Sequence, residues 1–273
     1  MTMILQISDM HIADPGTEPD DLLHQADHLA RTVLWINGLS ARPDAVLCSG
    51  DLVDHFTPSQ YARLADILDD LEMPFYLMVG NHDHRENLRA AFPEHGYLGV
   101  DGFVQYAIRI GDLRLVALDS QKTGQTPGEL CDSRLDWLSS TLAEDQATPT
   151  VVALHHPPFS STSTMMDAFG LHSGGPELAA ILNASPQVER LVAGHVHRPV
   201  TTMFGGTVAM SCPSTSHQIA LQPGRTDGVA LVAEPPSALL HHWSADSGLI
   251  SHIVPIGPFE TLIDVKVEAT YGE

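Results

Sequence analysis

Ala45-Val46-Leu47-Cys48-Ser49-Gly50-Asp51 is a run of four apolar residues that stops at a serine, a glycine and an acid. A short apolar run closed by turn residues reads as a strand buried on both faces. The same figure recurs on either side of it. Residues 3–7 end at Ser8-Asp9, residues 75–79 at Gly80-Asn81-His82-Asp83, residues 151–154 at His155-His156-Pro157-Pro158, and residues 191–193 at Gly194-His195-Val196-His197. In layered α/β folds ligands gather beyond the carboxyl ends of such strands, so the five clusters are expected to face one crevice.

Between the first strands the apolar spacing changes to three and four. Leu22, Ala26, Leu29, Val33 and Ile36 predict one helix with Asp20, Asp21 and Asp27 near its start, where the helix dipole favours acids. Thr57-Pro58-Ser59-Gln60 has the form of a capping box, and Tyr61, Leu64, Ile67, Leu68 and Leu71 continue a second helix towards Pro74. The β-α-β-α-β order predicts parallel strands with right-handed crossovers. Residues 103–110 and 113–118, on either side of Gly111-Asp112, predict a hairpin. A loop follows, and then an amphipathic helix around Leu135, Trp137, Leu138 and Leu142. Beyond residue 200 helical spacing is scarce, and residues 207–210, 217–221, 228–233, 238–243 and 249–254 read as strands, with 255–273 left as an unassigned tail. Two sheets are expected.

Composition narrows the function. The chain has 273 residues, ample for a core without a disulfide or metal staple. Its net charge of −21 opposes docking on long nucleic acids or anionic membranes. Cys48, Cys131 and Cys212 form no C-x-x-C pair and read as reduced thiols, Cys48 packing as a small apolar residue. The N-terminus lacks the pattern of a signal peptide and no apolar run reaches membrane-spanning length, so a cytoplasmic protein is expected. Sixteen histidines outnumber the 13 Lys and Arg, a hint of metal or proton chemistry.

The strand-end clusters supply Asp9, His11, Asp51, Asn81, His155, His195 and His197, seven N/O donors and no thiolate. That inventory suits two divalent cations of the Mn, Fe, Co or Zn type and argues against a Cys-rich structural zinc site. Alternation along an extended segment would place Asp9 and His11 on one side, and Gly194 would let His195 and His197 diverge. Asp54 either bonds a ligand or starts a loop. His156 reads as a neighbour rather than a ligand, since adjacent residues rarely both reach one metal. His24 and His28 read as exposed on an acidic helix face, Arg85 as an ion-pair partner, and His241, His242 and His252 as strand residues.

Asp9-Met10-His11, Gly50-Asp51-Leu52-Val53-Asp54, Gly80-Asn81-His82-Asp83, His155-His156-Pro157-Pro158 and Gly194-His195-Val196-His197 stand in the order of the D-x-H, G-D-x-x-D, G-N-H-[DE], H-x-P-P-like and G-H-x-H blocks. In this the sequence resembles the calcineurin-like metallophosphoesterase superfamily, most of all the class III cyclic nucleotide phosphodiesterases and the bacterial glycerophosphodiesterases. The resemblance implies an α/β fold, a four-layer α/β/β/α sandwich. It implies a catalytic core over residues 1–205, with residues 206–273 completing the second sheet and carrying a cap or a contact of a homodimer or higher homo-oligomer, and a tail. It assigns one metal to Asp9, His11, Asp51 and His197 and the other to Asp51, Asn81, His155 and His195, with a bridging hydroxide as nucleophile. His82 would then protonate the leaving alkoxide or bond the phosphoryl oxygen, Asp83 would orient His82, and His217 would touch substrate. The expected reaction is hydrolysis of a small phosphodiester, a 3',5'-cyclic nucleotide first. The alternatives are a glycerophosphodiester, a phosphomonoester and, remotely, a non-catalytic scaffold. Asp54 stands where purple acid phosphatases have tyrosine, so no tyrosinate-iron site is expected.

Overall fold

A computed structural model describes residues 1–265. The chain runs β1 (Thr2–Ile7), α1 (Glu18–Leu23), α2 (Gln25–Asn37), β2 (Ala45–Cys48), α3 (Pro58–Leu68), β3 (Phe75–Leu77) and α4 (Arg85–Ala91). It continues through β4 (Tyr106–Ile110), β5 (Leu113–Leu118), β6 (Gly128–Glu129), α5 (Asp132–Glu144), β7 (Thr150–Leu154), α6 (Thr164–Asp167), β8 (Leu171–Ser173) and α7 (Gly175–Asn183). The last elements are β9 (Val188–Ala193), β10 (Thr201–Phe204), β11 (Thr207–Ser211), β12 (Gln218–Ile219), β13 (Leu231–Val232), β14 (Ser237–Ser244) and β15 (Gly248–Pro255).

Two large mixed sheets result. The first has the order β15-β14-β1-β2-β3 and the second β10-β11-β9-β7-β5-β4. Within them β1, β2 and β3 are parallel, as are β5, β7, β9 and β11, so each set ends on one side. Alternation along β5 and β7 separates two cores. Leu115, Ala117, Val151 and Ala153 join β1, β2, α2 and α3 in one cluster, whereas Val116, Leu118, Val152 and Leu154 pack on Leu135, Leu138 and Leu142 of α5 and Leu178 and Leu182 of α7. Helices therefore flank two stacked sheets, the expected four layers.

Local departures have physical causes. The first expected helix breaks at His24, whose left-handed backbone (φ 49°) ends α1 and starts α2, and Leu22 is exposed rather than part of the stripe. At α3 Thr57 Oγ1 accepts the Gln60 amide at 3.3 Å, but the Gln60 side chain accepts from the His55 amide (2.7 Å), so only half of the capping box forms. The hairpin begins at Tyr106, three residues later than expected. α7 and β10 were not foreseen; a nine-residue helix opened by Gly-Pro gives a weak periodic signal. The C-terminal strands divide between the sheets: β11 extends the second, whereas β14 and β15 form the edge of the first. The expectation that residues 206–273 complete the second sheet thus holds for β11 alone, and the end of the expected tail, 266–273, lies outside the described residues. Among those described, no helix is long and apolar enough to cross a membrane.

Candidate metal centre

The carboxyl ends of β1, β2 and β3 in one sheet and of β7 and β9 in the other carry all seven expected donors. Buried hydrogen bonds tie the two sets across the sheets. Both oxygens of Asp9 accept the His195 amide at 3.0 Å, and His155 Nδ1 donates to the Ser49 carbonyl at 2.9 Å. Gln6, fully buried on β1, donates from Nε2 to Ser49 Oγ (2.9 Å) and to the Ala193 carbonyl (3.0 Å). Gln6 therefore fixes the spacing between the two strand ends that present Asp51 and His195. Glycines let the loops approach: a Cβ at Gly80 would fall on an Asp51 oxygen and on His155 Nε2, 2.7 Å away.

Backbone strain is concentrated in this cluster. Among the described residues eight non-glycine positions have positive φ, and five of them are Asp9 (54°), His11 (48°), Asp51 (48°), His195 (71°) and His197 (50°). Left-handed backbone costs an L-residue about 1–3 kcal/mol and persists only where the surroundings enforce it, commonly at functional sites. The same observation corrects the alternation argument. Left-handed turns aim Asp9 and His11, and His195 and His197 diverge because of their own backbone as well as Gly194. His195 faces His155 and His156 (ring centroids 5.3 and 4.9 Å), and His197 faces His11 and His217 (5.0 and 4.8 Å).

Lone pairs converge on Asp51. His155 Nε2 stands 3.2 Å and His11 Nε2 3.7 Å from Asp51 Oδ2, and His11 and His197 oppose their Nε2 atoms at 3.1 Å. His197 Nδ1 donates to the His217 carbonyl (3.0 Å), which leaves Nε2 as the atom carrying the lone pair. His155 Nε2, both ring nitrogens of His195 and Asn81 Oδ1 are buried without a hydrogen-bond partner among the described residues. Leaving buried acceptors unmatched costs about 1–3 kcal/mol each, and cations held here would satisfy Asn81 Oδ1, His155 Nε2 and the one ring nitrogen of His195 that carries its lone pair. Groups drawn from Asp9, His11 and His197, from Asp9, Asp51 and His155, and from His155, His156 and His195 have donor atoms within 4.8 Å of one another. These hard and borderline donors fit divalent cations, as the inventory implied.

The electrostatics agree. Burial holds His195 and His197 well below the ordinary imidazole range, His197 at about 3, so each is neutral and offers a lone pair. Burial alone would raise Asp51, yet the surrounding imidazoles, His155 foremost, hold it well below the usual carboxylate range. Burial opposes charge on His155, but Asp51 raises it to about 9, so a proton competes with a cation for Nε2. His156 is set apart by its tautomer. Nε2 donates to the Thr126 carbonyl (3.0 Å) and Nδ1 accepts from Ser120 Oγ (2.8 Å), leaving no lone pair free.

His82 lines the cleft with His11, Asp51, Asn81, His195, His197 and His217. Its Nδ1 donates to the Asp54 carbonyl at 2.7 Å, which directs Nε2 away from that bond. Asp83 has a different place from the one expected. Its carboxylate accepts from the amides of Leu52 (3.2 Å) and Gly80 (2.8 Å) and from Tyr61 OH (3.0 Å), not from His82. Burial and the nearby Asp51 raise it to about 7. Asp83 pins the loops that carry Asp51 and Asn81, and Asp54 holds His82 instead, through a backbone carbonyl that sequence cannot signal. The Asp54 side chain lies 3.7 Å from His11 Nδ1 and 2.5 Å from His55 Nδ1, and Asp54, His11 and His82 have donor atoms within 4.8 Å of one another. Arg85 pairs with buried Asp119 through two bonds of 2.6 and 2.9 Å, away from the cleft. His241, expected in cross-strand packing or solvent, is buried between Ser251 and Gln6.

Comparison with known proteins follows this geometry. The family model described as calcineurin-like phosphoesterase matches residues 2–199. The chain is similar to a protein of Arcobacter nitrofigilis named "Probable glycerophosphodiester phosphodiesterase GpdQ", 34% identical over 94% of both chains. A Synechococcus protein named "Probable cyclic nucleotide phosphodiesterase" is also 34% identical, over 79% of this chain and 81% of its own. Among solved structures, a dimetal phosphatase from Danio rerio superposes with a TM-score of 0.63 at 14% identity, covering 94% of this chain and 99% of its own, a likeness of fold.

Proposed function

The chain belongs to the calcineurin-like phosphoesterase family, and from that premise we propose that it hydrolyses a small phosphodiester, a 3',5'-cyclic nucleotide ahead of a glycerophosphodiester, at a centre of two divalent cations. Asp9, His11, Asp51 and His197 would hold one cation and Asp51, Asn81, His155 and His195 the other, each of them Fe, Mn, Zn or Co. When bound, the cations supply Lewis acidity towards the phosphoryl oxygens and lower the pKa of water beside them. Asp51 offsets the repulsion between them, and neutral Asn81 leaves the centre positive enough to draw in an anionic phosphate. His82, held at Nδ1 by the Asp54 carbonyl, turns Nε2 to the substrate to bond the phosphoryl oxygen or protonate the leaving alkoxide, a task worth about 10²–10⁴ in rate. His217 carries its ring beside His11 and His197 and contacts the substrate from the other side. Asp83 acts through the loops rather than on substrate.

One observation carries the choice of a diester. Among the described residues no Lys or Arg lines the cleft, whose volume is about 420 Å³. A monoester dianion would call for added positive charge, whereas a monoanionic diester is matched by the cations alone. The second reading, a glycerophosphodiester, is favoured by the match to the Arcobacter protein over 94% of both chains. Functionally the chain divides into a catalytic core over 1–205 and a following segment that supplies His217. The free thiols Cys48, Cys131 and Cys212 support a reducing, cytoplasmic setting. Turnover of bis(p-nitrophenyl) phosphate against p-nitrophenyl phosphate at equal metal load tests the proposal. The diester should be the better substrate, and a large preference for the monoester would overturn it.

A further inference from the structure

Above the donor cluster the cleft has an apolar wall. Three separate segments build it: Met166 and Phe169 at and after α6, Ile219 of β12, and Val229 and Leu231 before and on β13. Ile219 and Leu231 are cross-strand partners, so their side chains stand on one face, and His217 shares that face two residues before Ile219. The wall thus continues directly from the phosphate end of the cleft. Its base is packed, with Met166 and Ile219 buried against Val196. Its upper part is not: Val229 is 40% and Leu231 48% exposed.

The loop carrying Met166 and Phe169 is fastened from behind. The Asp167 carboxylate accepts from Ser160 Oγ (2.5 Å), the Ser161 amide (2.7 Å) and Ser161 Oγ (2.6 Å), and Thr162, a β-branched residue, is held at φ 65°. A strained conformation locked by three hydrogen bonds presents a fixed surface rather than a loose loop. The cleft is also lined by His55, Asp54 and His82, and by Pro19 and Leu23 of the segment before α2. A substrate seated there meets both imidazoles and hydrocarbon.

We infer that Met166, Phe169, Ile219, Val229 and Leu231 form the subsite for a flat aromatic arm of the diester, a nucleobase, and so determine which diester this enzyme prefers. The inference rests on the phosphodiesterase reading above and deepens it. A glyceryl or aminoethyl arm is polar and gains nothing from such a wall, whereas a base buries one face against it and keeps its polar edge towards the imidazoles and solvent. The volume of the cleft lies within the range of about 300–1,000 Å³ typical of small-molecule sites.

The test compares 3',5'-cyclic AMP with glycerophosphoethanolamine in the metal-loaded full chain, using Phe169→Ala, Leu231→Ser and Val229→Ser. Leu231 and Val229 are exposed, so those two variants keep the fold even if Phe169→Ala does not, and thermal melts verify this. The expected result is an increase in KM for cyclic AMP of about tenfold, at least five times the change seen with glycerophosphoethanolamine, with kcat for cyclic AMP shifting less than KM. Equal effects on the two substrates, or none on either, would overturn the inference. So would native enzyme that cleaves glycerophosphoethanolamine but not cyclic AMP, and in that case the phosphodiesterase reading would stand. Native enzyme inert towards both would end the reading and the inference together.

Discussion

On the floor of the cleft Asp9, Asp51, His155, His195 and His197 are buried, strained or fixed by hydrogen bonds from both sheets, while on the wall Val229 and Leu231 stand exposed and hydrogen-bond nothing through their side chains. The floor needs position to a fraction of an ångström, because opposed lone pairs are tolerable only around a cation. The wall needs only area and shape. A floor of this kind belongs to the chemistry shared by the family, and a wall of this kind can change with the substrate. Substitutions should therefore act on rate and metal content at the floor and on substrate choice at the wall.

Asp51→Ala should break the contrast most severely. Removing the carboxylate on which the lone pairs of His155 and His11 converge is expected to lower kcat/KM by about 10³ or more, with metal content falling in elemental analysis of the same sample. His82→Ala should cost about 10²–10⁴ in kcat while leaving metal content unchanged, which steady-state kinetics with metal analysis would check. Asp83→Asn sharpens the same point: if Asp83 acts only through the loops, the variant should lose melting temperature along with activity, whereas His82→Ala should lose activity and keep its melting temperature.

Gln6 lies behind the floor and touches no expected ligand side chain. Gln6→Leu keeps the bulk but frees the strand ends at Ser49 and Ala193, and metal affinity should fall about 10–100-fold, as for other groups that orient ligands. Competition with a chelating dye would measure it.

The last effect falls on stability rather than on turnover and concerns pH. Burial, with Arg190 nearby, depresses His241 to about 3. Its Nε2 donates to Gln6 Oε1 and its Nδ1 accepts from Ser251 Oγ, a neutral tautomer. The unfolded chain binds this proton near pH 6.5 and the folded chain does not. The contribution is therefore complete above pH 6.5 and lost as pH falls from there towards 3, at up to about 1.4 kcal/mol per pH unit. Melting curves of the metal-free protein between pH 7 and 4 should show a shallower acid decline for His241→Gln than for the native chain.

The same contrast explains what could be read from the sequence. Strand ends crowded with Asp, Asn and His are a local signal, and all seven expected donors meet because parallel strands deliver their ends to one side. Two stacked sheets were likewise legible from the apolar runs. Side-chain partners were less so: Asp83 follows His82 in sequence but turns inwards to two amides and Tyr61, because its burial leaves it no other donors. Asp54 holds His82 by a carbonyl, which every residue possesses. The break at His24 depends on one backbone angle in an otherwise continuous stripe. The assignment of β14 and β15 to the first sheet depends on pairing across more than 200 residues of chain, as between Gln6 and Leu239, and carries no local mark. The wall was invisible because its five apolar side chains come from three segments and look like ordinary core.

The most direct measurement is the number and position of cations bound by the metal-free protein after titration with Mn²⁺, read by elemental analysis and anomalous diffraction. Two ions per chain, both in contact with Asp51, are expected. One ion only, or ions bound away from Asp51, would contradict the account.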